Sequence, residues 1–205
     1  MKTAEIKVTS REVGVQDALA TTEKLGVDAG LSEKENLRLR LLAEELIGLL
    51  RGIAGDVEAV YWVEQREKAF ALHLKSELLM NQELRNELLS ASSTGKNSAA
   101  KGFMGKLREM IEVMLLPSKE DPFMMTGLSL GLMSSGSPVG YNVAMDSYVW
   151  SMNQYKTEVE GIVVENTAAA EAWDELEKSI VANLADEVSV AIVDNDVEIT
   201  IYKAF

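Results

Sequence analysis

Between Leu37 and Gly55 the chain reads LRLRLLAEELIGLLRGIAG, and its apolar positions recur every three or four residues more regularly than anywhere else. Leu39, Leu42, Leu46, Leu49, Leu50 and Ile53 make one wide stripe along a helix. Such a stripe needs a surface to lie on, most simply a sheet. The opposite side reads Glu44, Gly48, Arg51 and Gly55. Gly48, Gly52 and Gly55 all fall in this run, and a glycine costs a helix about 1 kcal/mol against alanine. Two explanations stand side by side. The glycines admit a close-packed neighbour while Glu44 pairs with Arg40 or Arg51, or they thin one face into the wall of a pocket beside a carboxylate. Ser32 and Glu35 have the spacing of a capping box, so the helix is expected to start near Glu33 and run to a stop at Gly55-Asp56.

Other segments alternate or repeat in simpler ways. Glu5 to Thr9 reads as a short strand, and Val13 to Ala29 as a helix ended by Gly30. Val57 to Glu64 and Ala69 to Lys75 read as a hairpin, with Phe70, Leu72 and Leu74 on one face as the partner for the leucine stripe. Helices are expected over Leu78 to Ala91, Gly102 to Leu116 and Ala168 to Leu184, with the polar loop Ser90 to Gly105 between the first two. Met145 to Lys156 has strand-like residues, and Val188 to Val193 with Val197 to Tyr202 forms a closing hairpin. Hairpins with grouped helices predict an α+β fold: a two-layer α/β sandwich, its sheet mixed but mostly antiparallel, with helices on one face.

Composition narrows the functional classes. The 205 residues suit one domain, and a 47% hydrophobic fraction is ample for a core. The net charge of −13 argues against nucleic acid and against anionic membrane surfaces as partners. The absence of cysteine excludes disulfides, thiolate nucleophiles and cysteine-ligated zinc, and fits a reducing compartment. The opening MKTAEIKVTSREVG has no apolar signal core. Phe123 to Met145 is uncharged and long enough to span a bilayer, but its Gly and Ser content and Pro138 favour a loop. The expected location is the cytoplasm.

Few residues carry candidate chemistry. Thr94-Gly95-Lys96 is not a P-loop, because Ser90 and Asn97 stand where glycine and Ser/Thr are required and a helix precedes. Gly95, Lys96, Lys101, Gly102 and Gly105 could still gather amides and ammonium groups around a phosphate at the start of the next helix. The plainer alternative is a surface loop with solvated lysines. His73 is the only histidine; strand alternation sets it with Ala71 and Lys75, facing solvent. No metal site is expected: Asp194-Asn195-Asp196 reads as a turn. The methionines and Trp62, Trp150 and Trp173 read as packing residues.

The order of elements, together with Ala43-Glu44-Glu45-Leu46-Ile47-Gly48, resembles the histidine-kinase-like ATPase superfamily, the fold of gyrase-type and sensor-kinase ATP-binding domains. Within it the chain is most similar to the small bacterial anti-sigma-factor kinases. The resemblance implies a single domain over residues 1–205 with an insertion at 118–167. It sets Glu44 at the family's glutamate, Lys101 to Leu107 at the glycine-bearing start of the post-lid helix, and Val188 to Tyr202 at the closing hairpin. Gly48 stands at the position of the asparagine that helps hold Mg²⁺. Leu74-Lys75-Ser76-Glu77-Leu78 stands where the family carries an Asp-x-Gly-x-Gly run.

Three functions follow. The favoured one is a degenerate ATP-binding-type regulatory domain that binds a protein partner, sigma-factor-like or another regulator, and ATP or ADP, without robust catalysis. The family implies a homodimer and Gly48 as part of the nucleotide site. The second is an active ATP-dependent serine/threonine kinase or ATPase with Glu44 as general base and Lys96 or Lys101 on phosphate. The third is a ligand-free interaction module whose glycines receive a neighbouring helix.

Overall fold

The structure, a computed structural model, describes residues 1–52, 56–77, 102–114, 141–144, 147–164, 167–193 and 195–205. The strands are β1 (Ile6–Thr9), β2 (Glu58–Arg66), β3 (Ala69–Glu77), β4 (Tyr141–Ala144), β5 (Ser147–Ser151), β6 (Glu187–Val193) and β7 (Asp196–Ala204). The α-helices are α1 (Val15–Asp28), α2 (Glu33–Gly48), α3 (Gly102–Met114), α4 (Met152–Ile162), α5 (Thr167–Lys178) and α6 (Ile180–Leu184). Among the described residues the strands form one sheet in the order β1-β2-β3-β7-β6-β5-β4. Every pairing in it is antiparallel. The fold is an α+β sandwich.

The leucine stripe lies where its periodicity requires. Leu39, Leu42, Leu46, Leu49 and Leu50 are buried, as are Phe70, Leu72 and Leu74, and α2 packs over β3 and β7. One continuous core runs from Val8 and Leu19 through this contact to Val159 and Leu176. The hydroxyls of Thr22 on α1 and Tyr61 on β2 meet at 2.6 Å inside the core. Burial pushes the Tyr61 hydroxyl's pKa well up, so it stays protonated.

Helix ends follow local chemistry. The Ser32 hydroxyl accepts the Glu35 amide while the Glu35 carboxylate accepts the Ser32 amide at 2.7 Å, the expected reciprocal cap. Hydrogen bonds from Ser32 hold the Glu35 carboxyl below its usual pKa. Gly30 at φ +73 ends α1, with the Leu31 amide donating to the Gly26 carbonyl at 3.0 Å and the Gly30 amide to Val27 at 2.9 Å. Gly14, also at φ +73, lies against the Lys7 carbonyl, so α1 begins at Val15 instead of Val13.

Three expectations are corrected. The α-helical part of α2 ends at Gly48 and tightens into a 3₁₀ turn over Leu49–Gly52, the usual response where glycines weaken a last turn. The stop proposed at Gly55 lies outside the described residues. The strand sought over Met145 to Lys156 stops at Ser151, whose hydroxyl accepts the Gln154 amide and opens α4. The expected helix from Ala168 to Leu184 breaks at Ser179, where an extended backbone and a new serine cap restart it as α6. The helix expected over Leu78 to Ala91 lies outside the described residues. Among the described residues no helix is long and apolar enough to cross a membrane.

Gly26 is a close contact between α1 and α2. A Cβ built there would lie 2.0 Å from Asn36 Oδ1, and Asn36 Nδ2 donates to the Glu23 carbonyl at 3.1 Å. Gly26→Ala is therefore expected to lower stability by about 1–2 kcal/mol despite alanine's helix propensity, because it displaces a buried hydrogen-bonded side chain. Urea unfolding checks this, and in an Asn36→Ala background Gly26→Ala should cost little or nothing if the clash with Asn36 is the cause.

Candidate functional site

A groove of about 500 Å³ opens where α1, the end of α2 and the start of α3 come together. Val15, Gln16 and Leu19 line it from α1, and Glu44, Glu45, Gly48, Leu49 and Arg51 from α2 and its 3₁₀ turn. Met104, Gly105 and Arg108 line it from α3. Of the predicted residues, Glu44, Gly48 and Gly105 thus meet at one groove. Gly102 starts α3 at φ +73, exposed and outside the lining. Gly95, Lys96 and Lys101 lie outside the described residues.

Each of the two explanations for the glycine-bearing face holds in part. Arg40 Nε donates to Glu44 Oε1 at 3.0 Å, and Arg40 NH1 to Glu23 Oε2 at 2.7 Å. Glu44 is therefore one arm of a Glu23–Arg40–Glu44 bridge. The hydrogen bond to Glu23, then that to Glu44, raises the Arg40 pKa further. All three side chains are partly exposed, so the bridge adds little stability and serves mainly to orient Glu44. Gly48 is a different matter. A Cβ there meets nothing within 4 Å, so among the described residues Gly48 receives no packed neighbour and its bare surface faces the groove.

The groove carries both signs of charge. Arg51 NH2 bridges to Glu12 Oε1 at 3.2 Å and is otherwise exposed. Arg108 is only 6% exposed, an unusual setting for a guanidinium. Arg51 was visible in the helical spacing, but Arg108 was missed: it follows Leu107 in an apolar helix, three residues after Gly105, and that i+3 step marks its face. Gln16 and Leu19 were missed because only packing brings α1 alongside.

The other candidate chemistry has structural roles. His73 lies on the predicted sheet face but does not face solvent. It stacks on Trp62 with ring centroids 4.7 Å apart, and its Nδ1 sits 3.0 Å from Glu198 Oε1 and 3.2 Å from Thr200 Oγ1, leaving the side chain 11% exposed. The neighbouring aromatic on the paired strand, Trp62↔His73, is what covers it. Asp196 ends the closing turn in an ion pair with Lys75 at 2.9 Å, and this hydrogen bond raises the Lys75 pKa; Asp194 lies outside the described residues. Trp150 is core, while Trp173 is partly buried and donates to Glu177 at 3.0 Å. No His, Asp or Glu cluster among the described residues has the geometry to hold a metal.

No protein-family model matches the chain, and no curated protein matches it significantly.

Open space beside Gly48 sets a direct expectation. Gly48→Ala should leave stability unchanged or raise it by up to about 1 kcal/mol, through helix propensity alone. A thermal melt checks it; a drop of several degrees would mean that the position is a packing site.

Proposed function

We propose that the chain is a degenerate ATP-binding-type regulatory domain of the histidine-kinase-like kind, binding ATP or ADP in the groove beside Glu44 and Gly48 and a protein partner elsewhere on its surface. The observation that carries this reading is the groove itself: about 500 Å³, within the range of about 300–1,000 Å³ usual for small-molecule sites, at the glycine-bearing face of the glutamate helix. The sheet and helix order supports it, as does the approach of Gly105 from the helix that follows the glycine-rich segment.

Robust phosphoryl transfer does not belong to the reading. Such chemistry needs metal and positioned donors around the transferred group. Glu44 already accepts a hydrogen bond from Arg40, and Gly48 offers no side-chain oxygen. The partner is a sigma-factor-like protein or another regulator, recognised by a homodimer as in the resembling kinases.

Isothermal calorimetry with ATP and ADP tests the nucleotide half. Binding is expected in the wild type and is expected to be lost in Gly48→Trp, whose indole fills the groove. Phosphate release should stay at background in both wild type and Glu44→Ala. Turnover in the wild type that Glu44→Ala abolishes would instead make the protein an active kinase or ATPase.

A further inference from the structure

A second and much smaller cavity lies apart from the groove, where α3, α4, α5 and β5 meet. It leaves about 10 Å³ for the centre of a water molecule, the low end of the roughly 10–15 Å³ that one water requires. Phe103, Leu107 and Met110 give it an apolar wall along α3, and a wholly apolar cavity would stay dry. Trp150, Tyr155 and Glu175 bring polar side chains to the same space. Trp150 is 3% exposed, and its indole nitrogen, which can only donate, finds no acceptor among the described residues. Glu175 Oε2 is equally shut off from solvent and accepts no hydrogen bond among them. Lys106 Nζ lies 3.0 Å from that oxygen, so the charge is compensated, but without the alignment of a hydrogen bond. Buried polar atoms left without partners are costly enough that few persist in folded proteins.

We infer that this cavity binds a single water molecule, which accepts a hydrogen bond from the Trp150 indole and donates one to Glu175 Oε2. The inference is independent of the nucleotide reading. The two atoms select their ligand. A cation would face the positive end of an N–H, and an anion would face a carboxylate. Only a neutral molecule that both accepts and donates suits the pair, and the space admits nothing larger than water. Tyr155 packs against Trp150 with ring centroids 5.7 Å apart and is 4% exposed. Burial, and then the nearby Glu175 carboxylate, push its hydroxyl's pKa up, so it stays protonated and can donate as well as accept. It offers the water a third partner, the number that buried waters usually have. The bridge ties β5 to α5 beside α3, the helix that carries Gly105 to the groove.

A crystal structure and solution NMR of the full chain test this. Density for one water is expected within about 3.2 Å of both Trp150 Nε1 and Glu175 Oε2. In solution the Trp150 indole proton, assigned by its loss in Trp150→Phe, is expected to show a cross-peak to water that has opposite signs in NOESY and ROESY spectra, the mark of a held water instead of proton exchange. The cross-peak should survive in Tyr155→Phe, which removes any relay through the phenol proton. A dry cavity, or an indole that bonds directly to Glu175 or to a ring, overturns the inference. So does a cross-peak lost in a folded Tyr155→Phe. None of these outcomes bears on nucleotide binding.

Discussion

The seating of α2 on β3 and β7 is the contact on which the rest of the molecule depends. Five leucines of the stripe are buried there or in the turn that follows. At about 2 kcal/mol for each buried side chain, this is on the order of 10 kcal/mol of hydrophobic driving force before ordering costs are set against it. The capped start of α2 at Ser32 sets where the helix begins, and therefore which residues the stripe contains.

Fixing one side of α2 also fixes the other. With Leu39, Leu42 and Leu46 turned to the sheet, Glu44 and Gly48 must turn away from it. The start of α1 and the start of α3 then approach without closing over Gly48, because neither sends a side chain within 4 Å of its Cβ position. The groove is thus the consequence of a helix with one face committed to packing and the other reduced to glycine. The 3₁₀ turn after Gly48 draws in the backbone and brings Arg51 to the groove's rim.

The far side of the sheet is organised by different forces. Lys2 sits over the Trp62 ring at 4.6 Å, Trp62 stacks on His73, and His73 meets Glu198 and Thr200. At one end of the sheet Asp186 accepts from the Ala204 amide and from Lys203, both at 2.7 Å. Burial pushes the Asp186 pKa up, but these hydrogen bonds outweigh it and hold the carboxyl below its usual value. These polar contacts join β2, β3, β7 and the approach to β6 on the sheet face opposite α2.

Periodicity alone determined most of the architecture: the leucine stripe, the two hairpins and the capped start of α2 all depend on neighbours within a few residues, where spacing maps directly onto faces. Ser151 and Gln154 carried a legible cap as well, though aromatic, β-branched neighbours disguised it as more strand. Only the tertiary structure decided which of two roles each residue of the glycine face took. Arg40 lies within one turn of Glu44, so their pairing was a local possibility, yet Glu23 from α1 completes the bridge. Whether Gly48 met a neighbour or open space, and whether Arg108 and Gln16 shared a groove with it, depended on how three helices cross. That is set by packing between segments far apart in the chain, which no local spacing encodes.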